Sequence, residues 1–244
     1  MPGFLRTKKI KMTGIFIITY NISADVFLCQ MEAIRKFCQD DYYKVEIFDN
    51  SDDGEPIRYH CEILGINYTR AKAVNLDPSR SHAFAANLAY TLKRKEYDNF
   101  FFLDHDCIPI ADFDVEEELL LIYGKGLGQG AKQHYFWPGC FMFSDKLGDY
   151  IDFSPNSEFG LDTGGNIYKA IDELGRDKFM FLGEEYRENP EYNGKYNYYS
   201  VIDGRFMHFI NSSNWNRQED NEDRINSLLG IAKKYIHGED VGVS

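Results

Sequence analysis

Apolar residues fall into two alternating rhythms along the first half of the chain. Short β-branched or aromatic runs, bounded by turn residues, predict strands at 15–19, 44–49, 67–71 and 99–103. Between them the spacing predicts helices. Phe27, Met31, Ile34 and Cys38 recur at four-, three- and four-residue steps behind a capping Asp25. Ile57, Cys61 and Leu64 follow Pro56, and Phe84, Leu88 and Leu92 follow a capping Ser81. Strands alternating with helices on this scale argue for βαβ units and a mainly parallel sheet. The run Asn99-Phe100-Phe101-Phe102-Leu103 is apolar on both faces, as a central parallel strand must be, and it stops at Asp104-His105-Asp106.

The second half is less regular. The pattern predicts a short acidic helix over 115–122, a glycine-rich loop over 124–130, and a strand over 135–144 interrupted by Pro138-Gly139. Ile167, Ile171 and Leu174 make another helical face, followed by strands at 179–182 and 205–210 and a closing helix over 225–236. The stretch 183–200 mixes Glu, Asn and Gly with five tyrosines and has no period, so it reads as a long mobile loop of the kind that carries function. No repeat and no Pro/Ser linker divides the chain. The expectation is one α/β domain over 14–244, a mixed, mainly parallel sheet flanked by helices, behind a basic tail at 1–13.

Composition narrows the partners. The 244 residues suffice for a core burying roughly 70–75% of the unfolded surface. A formal charge of −12 with no basic stripe disfavours nucleic acid. No apolar run is long enough for a membrane span or a secretory leader, and five cysteines without a CxxC pair suggest a reducing compartment. Cytoplasm is the expected location, a host cell's if the source is viral. Aromatic residues make up 16%, with 19 Phe and 17 Tyr. Tyrosine's flat face and polar tip suit stacking on base or sugar rings, and core filling is the alternative.

The candidate chemistry starts at the end of the most apolar strand. Ligands of open α/β sheets bind beyond the carboxyl ends of the strands. Asp104 and Asp106, two residues apart, can both turn toward one point there as oxygen ligands for a hard divalent cation. Without a cation, two neighbouring carboxylates would repel and one pKa would rise.

These residues sit in an ordered set that resembles the GT-A fold glycosyltransferases, enzymes that use nucleotide sugars. Strand 15–19 with Thr19, Tyr20 and Asn21 is similar to the family's opening nucleotide-binding strand and loop. Phe48-Asp49-Asn50-Ser51 is similar to the second-strand end, Ser81-His82-Ala83 with Asn87 to the helix lying over the nucleotide, and Phe101-Phe102-Leu103-Asp104-His105-Asp106 to the DxD strand. Resemblance in the second half rests on Trp137-Pro138-Gly139, on Asp162-Thr163-Gly164-Gly165, and on His208-Phe209 with Ser213-Asn214-Trp215. The resemblance implies a Rossmann-related sheet with a nucleotide-binding half over about 14–110 and an acceptor half over 111–244. It implies a nucleoside-diphosphate sugar donor, a UDP-sugar foremost, and a glycan or other hydroxyl acceptor. It also implies a cation held by Asp104, Asp106 and His208, and nucleotide contacts from Thr19, Tyr20, Asn21, Asp49, Ser81, His82, Asn87, Asp104 and Trp215.

Chemistry supplies a reason for these residue types. A nucleoside diphosphate leaves readily only when its growing charge is neutralised, and an acidic protein needs a locally bound cation to do it. A His ligand moves the expected metal from Mg²⁺ toward Mn²⁺, since imidazole is the softer donor. Asp162 has two readings, general base for the acceptor hydroxyl and cap of the helix near Gly164. Asp49 is a turn carboxylate or an acceptor for a uracil N–H or ribose hydroxyl. Ser81 and His82 cap a helix or offer backbone N–H groups to phosphate. His208 is a core histidine or a ligand, and Trp137 and Trp215 anchor the core or stack on sugar. Two rival functions remain: a non-catalytic nucleotide- or carbohydrate-binding module, and a sugar-phosphate nucleotidyltransferase. The second needs a glycine-rich basic loop after the first strand, and Tyr20 to Asp25 contains neither Gly nor Lys/Arg.

Overall fold

The computed structural model describes residues 12–114, 120–122, 135–210 and 221–241. The chain runs β1 (Thr13–Thr19), α1 (Ala24–Phe37), β2 (Tyr43–Asp49), α2 (Glu55–Leu64), β3 (Asn67–Arg70), α3 (Pro78–Lys93), β4 (Asn99–Asp104) and β5 (Cys107–Pro109). It continues through β6 (Leu120–Ile122), β7 (Cys140–Ser144), α4 (Tyr168–Leu174), β8 (Phe179–Phe181), β9 (Glu184–Glu188), β10 (Tyr198–Ile202), β11 (Phe206–His208) and α5 (Asn221–His237).

Seven strands form one sheet in the order β3-β2-β1-β4-β7-β6-β8. The first four are mutually parallel, β7 reverses against β4, and β6 and β8 are again parallel to each other. This is the mixed, mainly parallel sheet expected from the pattern. Period two sorts the side chains: Ile15, Ile17, Phe101 and Leu103 face α1, α2 and α5, while Phe16, Ile18, Phe100 and Phe102 face α3. The four parallel strands end on one edge, with Ile18 opposite Asp104 and Thr19 opposite Asp49. A second, antiparallel sheet, β5-β11-β10-β9, lies on the α1 side.

The α3 face of the main sheet is a phenylalanine layer. Phe16 stacks on Phe102 at 5.1 Å, Phe100 on Phe143 at 5.0 Å, and Phe141 on Phe143 at 4.7 Å. Each such ring buried adds about 1.5–3 kcal/mol. Core filling therefore accounts for these phenylalanines. The layer also explains why α3 presents Ser81, Ala83, Ala85, Ala86, Ala89 and Tyr90 inward, with Phe84 and Leu92 of the expected face exposed and Leu88 alone of it half-buried against the core. With the sheet side already filled by rings, small side chains let the helix approach.

Several local expectations are corrected. Ser23, not Asp25, caps α1, its hydroxyl accepting from Val26 N–H. Asp77 caps α3, with Pro78 in the first turn, so Ser81 lies one turn inside and its N–H is spent on the Asp77 carbonyl. The expected helix over 115–122 ends instead in strand β6, and its remainder lies outside the described residues, as does the loop 124–130. The strand within 135–144 starts only at Cys140. The tail boundary at 13 falls inside β1, where Thr13 is already paired with Tyr43. The supposed loop 183–200 contains β9 and the start of β10, paired antiparallel from Tyr198–Glu188 to Ile202–Glu184, so it is a hairpin of the second sheet.

Candidate functional site

The turn after β4 is held from four sides. Asp104 N–H donates to the Gly139 carbonyl at 2.9 Å, tying the turn to the segment leading into β7. The His105 ring Nδ1 lies 3.1 Å from the Ile18 carbonyl of β1, and Phe209 N–H donates to the Asp106 carbonyl at 2.8 Å. From below, Gln30 of α1 donates through its amide nitrogen to the carbonyls of both Asp104 and Cys107, each at 2.8 Å. Gln30 is fully buried. Fixing the backbone this way fixes where the two carboxylates emerge.

The carboxylates then take different partners. Asp104 Oδ1 lies 3.0 Å from His82 Nε2, whose ring reaches across from the first turns of α3. Burial opposes charge on His82, but the Asp104 carboxylate, with Asp162 and Asp106 beyond it, outweighs this and raises the pKa above 6.5. Burial likewise works against the Asp104 anion, and His82, with His105 and His208, overcomes it and draws its pKa below 3.8. Each group thus favours the charged form of the other.

Asp106 instead faces the second sheet. Its Oδ1 lies 3.8 Å from His208 Nε2, and the ligand atoms of Asp106, Cys107 and His208 all fall within 4.8 Å of one another. All three residues are buried. The other His208 nitrogen, Nδ1, is 3.5 Å from Ser200 Oγ, and the Trp137 ring lies 4.8 Å from the imidazole. A carboxylate, an imidazole and a thiol converging in one buried space are a donor set that fits a divalent cation. The expected ligands Asp106 and His208 are brought together here; Asp104 belongs to the neighbouring His82 pair.

Asp162 is exposed and stands beside this pair, close enough for its charge to act on His82. Its Oδ1 accepts from Thr163 N–H at 2.8 Å and from the Ser79 hydroxyl. Its side chain does not cap the helix expected near Gly164: the 3-10 turn Gly165–Ile167 follows Gly164 and runs into α4, and neither start has a side-chain cap. Asp49, by contrast, is fully enclosed. Its Oδ1 accepts from Thr19 Oγ1 at 2.9 Å and Ser51 N–H at 3.0 Å, and its Oδ2 from Tyr68 OH at 2.8 Å and Arg70 Nη1 at 2.7 Å. Four donors fill a carboxylate's capacity, so Asp49 and Thr19 organise the β2 end from within.

The remaining expected residues divide similarly. Asn21 occupies a left-handed turn at φ 45° after Tyr20 and exchanges side-chain and backbone hydrogen bonds with Asp52 and Ser51. The Ser81 hydroxyl accepts from Asn50 at 2.7 Å. Asn87 accepts from Phe153 N–H at 2.9 Å, which ties down the 152–154 segment away from Asp104. Trp215 lies outside the described residues. Three participants escaped the sequence reading: the His82 side chain as partner of Asp104, Gln30 and Cys107. His82 is expected there only for its backbone N–H at a helix start, and Gln30 shows in the sequence as an uncharged polar residue on the apolar face of α1.

No protein-family model and no curated protein matches this sequence. Solved structures are similar to it at low identity. Glucosyl-3-phosphoglycerate synthase from Mycobacterium tuberculosis, in complex with phosphoglyceric acid, is 17% identical over 69% of this chain and 68% of that one, at a TM-score of 0.45. The glycosyltransferase GlyE of Streptococcus pneumoniae TIGR4 is 14% identical over 93% of this chain and 63% of its own, at 0.46. S. aureus TarS is 16% identical over 60% of this chain and 31% of its own, at 0.38. The chain thus spans less than two thirds of GlyE and under a third of TarS. At such distances no activity is carried across, and the fold stands on its own strand order and register. Among the described residues no helix is long and apolar enough to cross a membrane.

Proposed function

We propose that the chain is a metal-dependent glycosyltransferase that moves a sugar from a nucleoside-diphosphate donor, a UDP-sugar foremost, to a hydroxyl of a glycan or other acceptor. One observation carries the reading: Asp104-His105-Asp106 closes the central parallel strand at the sheet's ligand-binding edge, and Asp106 meets His208 there in a buried donor set. Asp106 and His208 would hold the cation, Mn²⁺ being favoured over Mg²⁺ by the imidazole. When bound, a divalent cation supplies Lewis-acid neutralisation of the departing diphosphate. His82, whose charged form Asp104 favours, lies at the same edge. Exposed Asp162, near enough to His82 for its charge to act there, accepts the proton of the attacking acceptor hydroxyl, exchanging its bond to Ser79 for one to the substrate. The four-way tether of the turn keeps these groups from relaxing apart.

The test is sugar transfer and donor hydrolysis with a panel of nucleotide sugars and of divalent cations, Mn²⁺, Mg²⁺, Co²⁺ and Zn²⁺, in the wild type and in Asp106→Asn. Transfer by the wild type, lost by at least about a hundred-fold in a variant that still unfolds cooperatively, is the expected result. A wild type that binds UDP but turns over no donor defeats the proposal in favour of a binding module.

A further inference from the structure

We infer that Cys107 is a third protein ligand of this site, so that it selects a thiophilic cation, Zn²⁺ or Co²⁺, over Mg²⁺ and Mn²⁺. The inference rests on the proposed cation site and adds to it the donor that decides which metal enters. Cys107 and His208 are direct partners in the antiparallel pairing of β5 with β11. Opposed residues of such a pair project from the same face with Cβ atoms about 4.5–5.5 Å apart, so a thiol and an imidazole are delivered side by side by register alone. Asp106, the residue before β5, adds its carboxylate, and the three donor atoms lie within 4.8 Å of one another.

The 3.8 Å between Asp106 Oδ1 and His208 Nε2 is long for a hydrogen bond. Oxygen and nitrogen ligands sharing one tetrahedral cation through bonds of about 2.0–2.2 Å lie about 3.3–3.6 Å apart, so the pair would close by only a few tenths of an ångström to hold one. The backbones carrying the donors are fixed, Asp106 through Phe209 N–H and Cys107 through Gln30. Ser200 Oγ lies beside Nδ1, and Nε2 is the nitrogen that faces Asp106. Cys107 has no exposed surface, and His208 and Asp106 are 4% and 6% exposed, so bulk water competes poorly for the cation.

The donor chemistry then chooses the metal. One carboxylate and one imidazole suit Mn²⁺, but a thiolate adds a soft donor that Mg²⁺ and Mn²⁺ do not favour and that Zn²⁺ and Co²⁺ do. Three protein ligands leave the open position of a catalytic zinc-type site. On ligation the S–H bond breaks, a sulfur–metal bond forms and the proton passes to solvent, so filling the site releases about one proton from the thiol.

The test is Co²⁺ titration of the metal-free full chain, read by visible ligand-field bands and by the near-ultraviolet sulfur-to-cobalt charge-transfer band. The wild type should show both. Cys107→Ser should lose the charge-transfer band and bind Co²⁺ at least about ten-fold more weakly, while His208→Ala loses both signals. A charge-transfer band that is absent from the wild type, or that survives in Cys107→Ser, while binding still depends on His208, overturns the thiol's role and leaves the carboxylate–imidazole site standing. Co²⁺ binding that is absent, or indifferent to Asp106 and His208, overturns the site itself. A readout without substitution covers a variant that fails to fold. Zn²⁺ should displace Co²⁺ from the wild type at concentrations where Mg²⁺ does not, and loading the metal-free chain with Zn²⁺ should release about one proton. Equal displacement by Mg²⁺ refutes the inference.

Discussion

Replacing Asp49 by Asn tests whether the β2 end is organised by one buried carboxylate. The Asn carbonyl can stand where Oδ1 stands and keep the donors Thr19 Oγ1 and Ser51 N–H. Its NH₂ then replaces Oδ2, facing Tyr68 OH and Arg70 Nη1. The tyrosine hydroxyl can rotate to accept, but the guanidinium has no lone pair and cannot. One charge-assisted bond is lost, worth about 1.5–3 kcal/mol. The Arg70 side chain is 35% exposed, so water recovers part of its solvation and the ion-pair share is screened. The expected cost is about 2 kcal/mol, which at a urea slope of about 2.5 kcal/mol per M lowers the unfolding midpoint by roughly 0.8 M. Asp49→Ala, which strands four donors, two of them beyond the reach of water, should cost about 4 kcal/mol. Room for repair is small, because a Cβ added at Gly54 would lie only 2.5 Å from Oδ2. Urea unfolding of Asp49→Asn within about 0.5 kcal/mol of the wild type would refute the reasoning and return Asp49 to the set of residues free to meet a ligand.

Further outcomes follow from other contacts. His82 has a raised pKa, so its stabilisation is complete below about 6.5 and is lost as pH rises through the folded value. Asp104 has a lowered pKa, so its share is complete above 3.8 and is lost as pH falls through the folded value. The stability gap between wild type and His82→Gln should therefore be widest between about pH 4 and 6.5 and shrink in alkali; urea unfolding showing a gap that grows toward alkaline pH contradicts the pair. Gln30→Met strands the carbonyls of Asp104 and Cys107 but also removes Gln30 Oε1, which is buried with no hydrogen-bond partner among the described residues. A net loss of about 1–3 kcal/mol is expected from denaturant curves, and a stabilised variant would show that the turn does not depend on this tether. Phe102→Ala empties a place between Phe16 and Phe153, 5.1 and 4.5 Å away, and should cost about 3–5 kcal/mol; a loss under about 1 kcal/mol would mean that the layer is not close-packed.

What the sequence makes legible is the part decided by local apolar density. Strands β1 and β4 show because every residue of their centres is buried on both faces, and the carboxylates that end β4 stand out against such a run. The α3 face is misread because the same logic assigns large side chains inward, whereas a sheet already carrying Phe16, Phe48, Phe100 and Phe102 needs alanines opposite it. Strand β9, Glu-Glu-Tyr-Arg-Glu, has no apolar alternation because it lies at the edge of its sheet, and only its pairing with β10 defines it. The site divides in the same way. Asp104, Asp106 and His208 carry visible chemistry of their own, but the His82 contact depends on how α3 crosses the sheet, and the role argued for Cys107 depends on a register 101 residues apart in sequence.

The indole of Trp137 beside the His208 ring gives the molecule an optical reporter. With only two tryptophans in the chain, emission from Trp137 is a large part of the total signal. A paramagnetic ion captured beside that imidazole quenches it, whereas closed-shell Zn²⁺ leaves quenching to other causes. Loading and exchange at the proposed cation site would thus be followed in real time by intrinsic fluorescence, with no label attached.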